Sequence, residues 1–197
     1  EAADHMDPLA VEPFIAPTLD FHALAPEIVL VVGFVTLILV DVFTDELSKR
    51  VTSAIAGLAF LGSMIPILTL YVDGTDRVMF GGAYTVDRYA LILKGLFIVT
   101  GYVVVLLSTH YIGEGDYWEG EYYTMVLSSV LGMVVMASAR DLVTIFIALE
   151  LLSIPAYMLA AWGKRDLKSG EAGMKYYLMG VFATGVLLYG MSLLYGA

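Results

Sequence analysis

One acidic side chain, Glu150, lies in the middle of the apolar segment DLVTIFIALELLSIPAYMLAAW, which spans residues 141–162. About 20 apolar residues are enough for a helix to cross a lipid bilayer. A charged carboxylate at that depth costs roughly 2.5–3.5 kcal/mol on insertion scales, so it is retained where it faces protein or water. Glu150 therefore indicates a proton relay. The alternative is a buried glutamate that is hydrogen-bonded only for packing.

The residues around Glu150 favour a hydrated pocket. Helical spacing places Phe146, Ser153 and Tyr157 on the same face as Glu150. The hydroxyl groups of Ser153 and Tyr157 can hydrogen-bond a carboxylate or a bound water. Pro155 has no backbone N–H to donate, which frees a carbonyl one turn earlier and can bend the helix.

Two lysines also lie within apolar segments. Burial disfavours the charged forms of lysine and glutamate, so Lys175 is a candidate to exchange protons with a group such as Glu150. The alternative for Lys175 is an interfacial side chain that snorkels to the lipid headgroups. Snorkelling is the interpretation we favour for Lys94. Asp141, just before the segment that carries Glu150, is predicted to cap a helix N-terminus.

The composition is that of a membrane protein. The chain is 59% hydrophobic and 15% charged, whereas soluble domains have about 25% charged residues. It contains no cysteine, which excludes disulfides, thiol catalysis and cysteine-ligated iron–sulfur clusters. The three histidines are scattered, and phosphate-binding and dinucleotide-binding motifs are absent, so we expect no metal and no cofactor in this chain. A net charge of −10 argues against nucleic acid as a partner.

Hydropathy divides the chain into an extramembrane lead and an all-α transmembrane domain. Residues 1–23 are acidic and interrupted by prolines, and they are predicted to be mostly irregular. Residues 24–197 hold the membrane domain, in which each apolar segment is too uniformly apolar for an alternating barrel strand. Six transmembrane helices are predicted, at residues 24–43, 51–72, 89–109, 122–139, 142–162 and 172–195.

The basic residues predict the orientation of these helices. The loops after helices one, three and five carry Lys49, Arg50, Lys164, Arg165 and Lys168, whereas those after helices two and four carry Arg77, Arg88 and Arg140. Because lysine and arginine favour cytoplasmic loops, the N-terminus is predicted to lie outside.

Several segments resemble a known family. LAPEIVLVVG (24–33), VDRYALILKGLF (86–97), residues 121–162 with ELLSIPAYMLAAW, and EAGMKYYLMGVFATGVLLYGMSLLYG (171–196) resemble the N subunit of bacterial NADH-quinone oxidoreductase. That subunit is an antiporter-like part of the membrane arm of respiratory complex I. The resemblance implies a fold of about fourteen spanning helices with two inverted repeats. It also implies that Glu150 and Lys175 match the functional glutamate of helix five and the lysine of helix six.

The resemblance further implies a function. The parent subunit would translocate protons across the bacterial plasma membrane and couple quinone reduction to pumping, without a redox site of its own. NADH, FMN, the iron–sulfur clusters and quinone would be bound by other subunits, and the partners would be the membrane-arm subunits and the lipid bilayer. The chain would be an N-terminal fragment, incomplete at its C-terminus, without the helix-seven lysine that pairs with Glu150. Two alternatives stay open: a subunit of a multi-subunit sodium/proton antiporter, and a membrane scaffold without transport.

Overall fold

Six long helices make up most of the structure, a computed structural model that describes residues 19–43, 49–114, 119–163 and 166–196. All six are long and apolar enough to cross a membrane, which confirms the prediction of an all-α, polytopic membrane protein. The third helix ends later and the sixth begins earlier than predicted. The helices are α1 (Ala25–Phe43), α2 (Lys49–Asp73), α3 (Arg88–Glu114), α4 (Glu119–Ser138), α5 (Leu142–Ala160) and α6 (Leu167–Tyr195).

The predicted N-terminal lead is described only in part. Residues 1–18 lie outside the described residues, and residues 21–24 form a turn that enters α1. The Asp20 carboxylate accepts hydrogen bonds from the backbone N–H groups of His22 and Ala23. Among the basic residues used to predict orientation, Lys164, Arg165 and the side chains of Lys49 and Arg50 also lie outside the described residues.

A short β-hairpin joins α2 to α3, and the sequence analysis did not predict it. Strands β1 (Arg77–Met79) and β2 (Tyr84–Val86) pair antiparallel, with Met79 opposite Tyr84. The connection contains Gly81 and Gly82 at φ values of 65° and 97°, a left-handed conformation that glycine adopts without steric cost. Strands of three residues are too short for a period-2 pattern to be recognised in the sequence, so the paired glycines were the available signal.

Among the described residues, the helix α4 contacts four of the other five helices. α4 packs against α1, α2 and α3, and their inward faces form the main core. α5 packs on α4, and α6 packs on α5. Gly173 is the buried residue of α6, so most of this helix presents apolar side chains outward. The core includes Leu30 and Leu37 of α1, Phe60 of α2, Ile98 of α3, and Tyr123, Leu127 and Val134 of α4.

One end of the bundle, which we call the hairpin end, brings together residues 20–27, 73–90 and 138–142. Tyr84 of β2 forms an isolated β-bridge with Ala139. The backbone N–H of Arg140 donates to the Ala83 carbonyl at 2.8 Å, and the Arg140 guanidinium lies 2.6 Å from the Asp87 carboxylate. These contacts fix the junction between α4 and α5, and therefore the point at which the helix carrying Glu150 begins.

Candidate functional site

The helix that carries Glu150 begins at a well-formed cap. Asp141 Oδ1 accepts hydrogen bonds from the backbone N–H groups of Val143 at 2.9 Å and Thr144 at 3.1 Å. These satisfy two of the N–H groups that a helix N-terminus leaves free, and the predicted N-cap is confirmed. The hydrogen bonds from Thr144, followed by the one from Val143, hold the pKa of Asp141 below its usual value.

The turn of α5 that contains Glu150 lies directly against α4. A Cβ on Gly132 would come within 2.5 Å of the Leu152 nitrogen and 2.9 Å of the Ala148 carbonyl oxygen, so only glycine permits this approach. One turn earlier on α4, the Ser129 hydroxyl donates a hydrogen bond of 3.1 Å to the Leu152 carbonyl. The main chain on both sides of Glu150 is thus held by α4.

Glu150 itself is half-buried on α5. It lies eight residues into the helix, which corresponds to about 12 Å along the axis. Its Oε1 atom is buried and has no hydrogen-bond partner among the described residues. A buried oxygen without a partner costs about 1–3 kcal/mol, and more when charged, so it calls for a water or a further polar group. The hydrated pocket itself stays a prediction.

The three supporting residues all lie on α5, the helix that carries Glu150. Pro155 is buried inside α5, and the helix continues through it. Ser153 is half-buried. The Tyr157 ring packs edge-on against Tyr176 and Tyr177 of α6, with centroid distances of 4.8 and 5.9 Å. In the described part of the chain, neither hydroxyl hydrogen-bonds Glu150, and their supporting role stays a prediction.

Lys175 and Glu150 are not brought together. The Lys175 ammonium lies 2.5 Å from Glu171, one turn away on α6, and its side chain is 71% exposed. A Cβ on Gly173 would lie 2.3 Å from Ala161 Cβ, which fixes the register of the two antiparallel helices. In that register Lys175 lies opposite residue 159. Residue 159 is nine positions after Glu150 on α5, which corresponds to about 14 Å along the helix axis. A direct hydrogen bond between the two proposed relay groups is therefore excluded.

Sequence reasoning missed a buried charge cluster at the hairpin end, formed by Glu27, Tyr84 and Lys94. The Lys94 side chain is 0% exposed, and its Nζ lies 2.7 Å from Oε1 of Glu27. The expectation that Lys94 snorkels to the membrane interface is therefore wrong. The reason is that a carboxylate from another helix meets the ammonium inside the bundle. Two opposite charges inside predicted helices were the available signal, but sequence spacing does not show which helices are neighbours.

Tyr84 completes the cluster from the hairpin. Its hydroxyl donates to Glu27 Oε1 at 2.7 Å and accepts from Lys94 Nζ at 3.2 Å. The ammonium also lies 5.1 Å from the centre of the Tyr84 ring, within cation–π range. Burial, followed by the charge of Glu27, raises the pKa of Tyr84 above its usual range. The Tyr84 hydroxyl therefore keeps its proton and serves as a donor.

Metal binding finds no support in the described residues, where no group of three histidine or acidic side chains could hold a metal ion. Glu27, Lys94 and Glu150 are titratable side chains within apolar helices. Such groups can bind and release protons.

Comparisons with known proteins show which families this chain resembles. The family described as NADH:quinone oxidoreductase/Mrp antiporter, TM, matches residues 139–197, which include α5 and α6. NADH-quinone oxidoreductase subunit N of Trichlorobacter lovleyi is 38% identical over 179 residues, which cover 91% of this chain and 36% of that protein. NAD(P)H-quinone oxidoreductase subunit 2 of Synechococcus elongatus is 35% identical over 182 residues, covering 92% of this chain and 35% of that protein.

A solved structure agrees with the sequence relatives. A chain of respiratory complex I from Thermus thermophilus, determined with bound aureothin, matches with a TM-score of 0.73 and 31% identity. The match covers 87% of this chain and 36% of that one. This chain belongs to the family of NADH-quinone oxidoreductase N subunits. It spans about a third of the length of the curated N subunits that it matches.

Proposed function

We propose that this N-subunit chain is part of a proton-translocating membrane subunit of NADH-quinone oxidoreductase, which couples quinone reduction to proton movement. The observation that carries the proposal is the buried, unpartnered Oε1 of Glu150 in a membrane-spanning helix. The family match across α5 and α6 supports the same reading. The parent subunit then acts in a bacterial plasma membrane with its N-terminus outside, beside other membrane-arm subunits and lipid.

In this proposal the chain contributes proton handling and no redox chemistry. NADH, FMN, the iron–sulfur clusters and quinone are bound by other subunits, and nucleic acid is not a partner. Glu150 gains and loses a proton, and its charge alters the proton affinity of lysines within electrostatic reach. The Pro155 ring removes one backbone donor in the same helix, while Ser153 and Tyr157 stay on α5 as supporting polar groups.

Lys175 is the second relay group of the proposal, and it acts at a distance. The two positions are about 14 Å apart along the helix axis, so their coupling in this proposal is electrostatic and involves no direct hydrogen bond. Protons would cross the remaining distance through water or through further groups of the parent subunit. Lys175 is exposed on α6, so such groups have access to it.

The test uses the full-length parent protein in its complex, in sealed vesicles. Glu150→Gln keeps the size of the side chain and removes its charge, and Glu121→Gln is the matched control at the start of α4. We expect Glu150→Gln to assemble and to lower NADH-driven proton pumping and electron transfer together by tenfold or more, while the control stays near the wild type. Normal pumping and normal electron transfer in Glu150→Gln would contradict the proposal.

A sodium/proton antiporter subunit is the second candidate, because the matching family covers Mrp antiporters as well as the oxidoreductase. The two functions differ in the driving force. Proton movement that requires NADH oxidation and is unaffected by a sodium gradient supports the oxidoreductase. Proton movement that follows an imposed sodium gradient without NADH supports the antiporter.

A further inference from the structure

The buried cluster at the hairpin end is separate from Glu150. Lys94 lies on α3 and Glu150 on α5, and α4 packs against both helices. Lys94 is six residues into α3, about 9 Å along the axis, so the two groups lie at similar depths from the hairpin end but on different helices. The cluster therefore needs an explanation of its own.

Stability alone does not account for this ion pair. Removing two opposite charges from water is expensive, and replacing a buried pair with apolar residues of similar volume is often neutral or stabilising. The Glu27 and Lys94 side chains nevertheless form a close ion pair, with Nζ 2.7 Å from Oε1. A proton that moves along it from Nζ to Oε1 leaves an amine and a carboxylic acid, with no change in net charge. The contact can therefore carry a proton between the two groups without creating an unpaired buried charge.

The cluster also has unfilled hydrogen-bonding capacity. Glu27 Oε2 and Ser138 Oγ are both buried and have no hydrogen-bond partner in the described part of the chain. Ser138 ends α4 next to Ala139, which bridges to Tyr84. Buried waters in proteins typically bind such otherwise unsatisfied groups. A water beside the free carboxylate oxygen would give Glu27 a route for a proton that does not pass through Lys94.

Asp87 connects the cluster to the surface of the hairpin end. Its carboxylate is 27% exposed and pairs with Arg140, and its negative charge acts on the Lys94 ammonium. Its other oxygen accepts from the Ala90 N–H at 2.7 Å in the first turn of α3. A titratable side chain thus lies between the exposed end and the buried lysine.

We propose that Glu27 and Lys94 form a second proton-exchange site, which communicates with the aqueous phase at the hairpin end. In uptake, one proton converts the Glu27 carboxylate to a carboxylic acid while Lys94 keeps its ammonium form, and release is the reverse. Tyr84 and Ser138 are positioning residues: the Tyr84 hydroxyl orients the carboxylate, and Ser138 holds the water. The proposal rests on the proposed transport function of the parent subunit.

The decisive variant removes both charges together. Glu27→Leu combined with Lys94→Met leaves no unpaired buried charge, so the complex is expected to assemble. We expect the number of protons pumped per electron to fall by at least a quarter, at an unchanged amount of complex. An assembled double variant that pumps the normal number of protons per electron would show that the pair is only structural and would overturn the proposal.

Infrared difference spectroscopy of the wild-type complex tests the site without depending on how the double variant folds. We expect turnover to change the carbonyl band of a protonated carboxylic acid, and Glu27→Asp to shift the frequency of that band. A turnover spectrum that is identical in wild type and Glu27→Asp would overturn the proposal. Glu121→Gln is measured in parallel and should leave this band in place. Normal pumping in Glu150→Gln would contradict the proposed role of Glu150 only. The proposal for Glu27 and Lys94 would still be tested by the infrared band of Glu27.

Discussion

Gly132 of α4 lies against the main chain of Leu152 on α5, so close that a Cβ at position 132 would come within 2.5 Å of the Leu152 nitrogen. Leu152 is two residues from Glu150, so this contact determines where the turn carrying the carboxylate lies relative to α4. Close backbone approach at glycine is a usual means of helix association in membranes, where lipid is as apolar as the side chains. The position of Glu150 therefore depends on a residue without a side chain.

Gly132→Ala should destabilise the protein by about 1–3 kcal/mol, because the added methyl group meets backbone atoms that cannot rotate away. The free energy of unfolding of the purified protein in detergent, from denaturant titration, measures this. Gly95→Ala is the matched control, since a Cβ at position 95 has no neighbour within 4 Å. That control should be neutral or slightly stabilising, because alanine favours a helix over glycine. Equal effects of the two substitutions would show that the α4–α5 contact is looser than described.

The Ser129 hydroxyl should contribute about 0.6 kcal/mol, the average for a hydrogen bond between membrane helices. Ser129→Ala removes its bond to the Leu152 carbonyl, and the loss is measured by the same titration. Thr124→Val serves as the comparison, because the Thr124 hydroxyl bonds only to the Gly120 carbonyl of its own helix. A larger loss in Thr124→Val than in Ser129→Ala would contradict the assigned role of Ser129.

The sequence was sufficient for the spans, the cap and the depth of Glu150, because each depends on local information. A long apolar run predicts a membrane helix, and an aspartate just before it predicts a cap. The burial of Lys94 depends instead on a contact with Glu27, which is 67 positions earlier in the chain. Such a contact follows from the packing of α1 against α4 and of α3 against α4, which composition does not determine.

The register between α5 and α6 was not predictable for a related reason. The sequence places Glu150 in the middle of the fifth helix and Lys175 near the start of the sixth, but it does not show which residues of the two helices lie opposite each other. The two helices are antiparallel, and α6 extends beyond α5, so the contact of Gly173 with Ala161 sets the level of Lys175. Helix register depends on side-chain fit between neighbours, and here that fit involves a glycine.

The Asp141 cap predicts a specific pH dependence. The pKa of Asp141 in the folded protein is lowered from 3.8, its value in the unfolded chain. The ionised cap therefore stabilises the fold above pH 3.8. That stabilisation is lost as the pH falls through the lower pKa of the folded protein. Asp141→Ala should therefore lower the melting temperature at pH 7, with a smaller difference from wild type as the pH falls below about 4. Asp141→Asn keeps a capping oxygen without a titratable group. A difference between wild type and Asp141→Ala that is independent of pH would contradict this account.

Three of the five glycines of α6 should differ in their tolerance of alanine in a fixed order. Gly173→Ala should cost most, about 1–3 kcal/mol, because its Cβ would meet both the Cβ and the backbone of Ala161. Gly180→Ala should cost less, since the clash is with the Tyr157 hydroxyl at the end of a side chain that can turn aside. Gly185→Ala should be neutral or stabilising, because no atom lies within 4 Å. Melting temperatures of the three variants in detergent give the order, and an equal effect at all three positions would mean that α6 does not pack on α5 in this register.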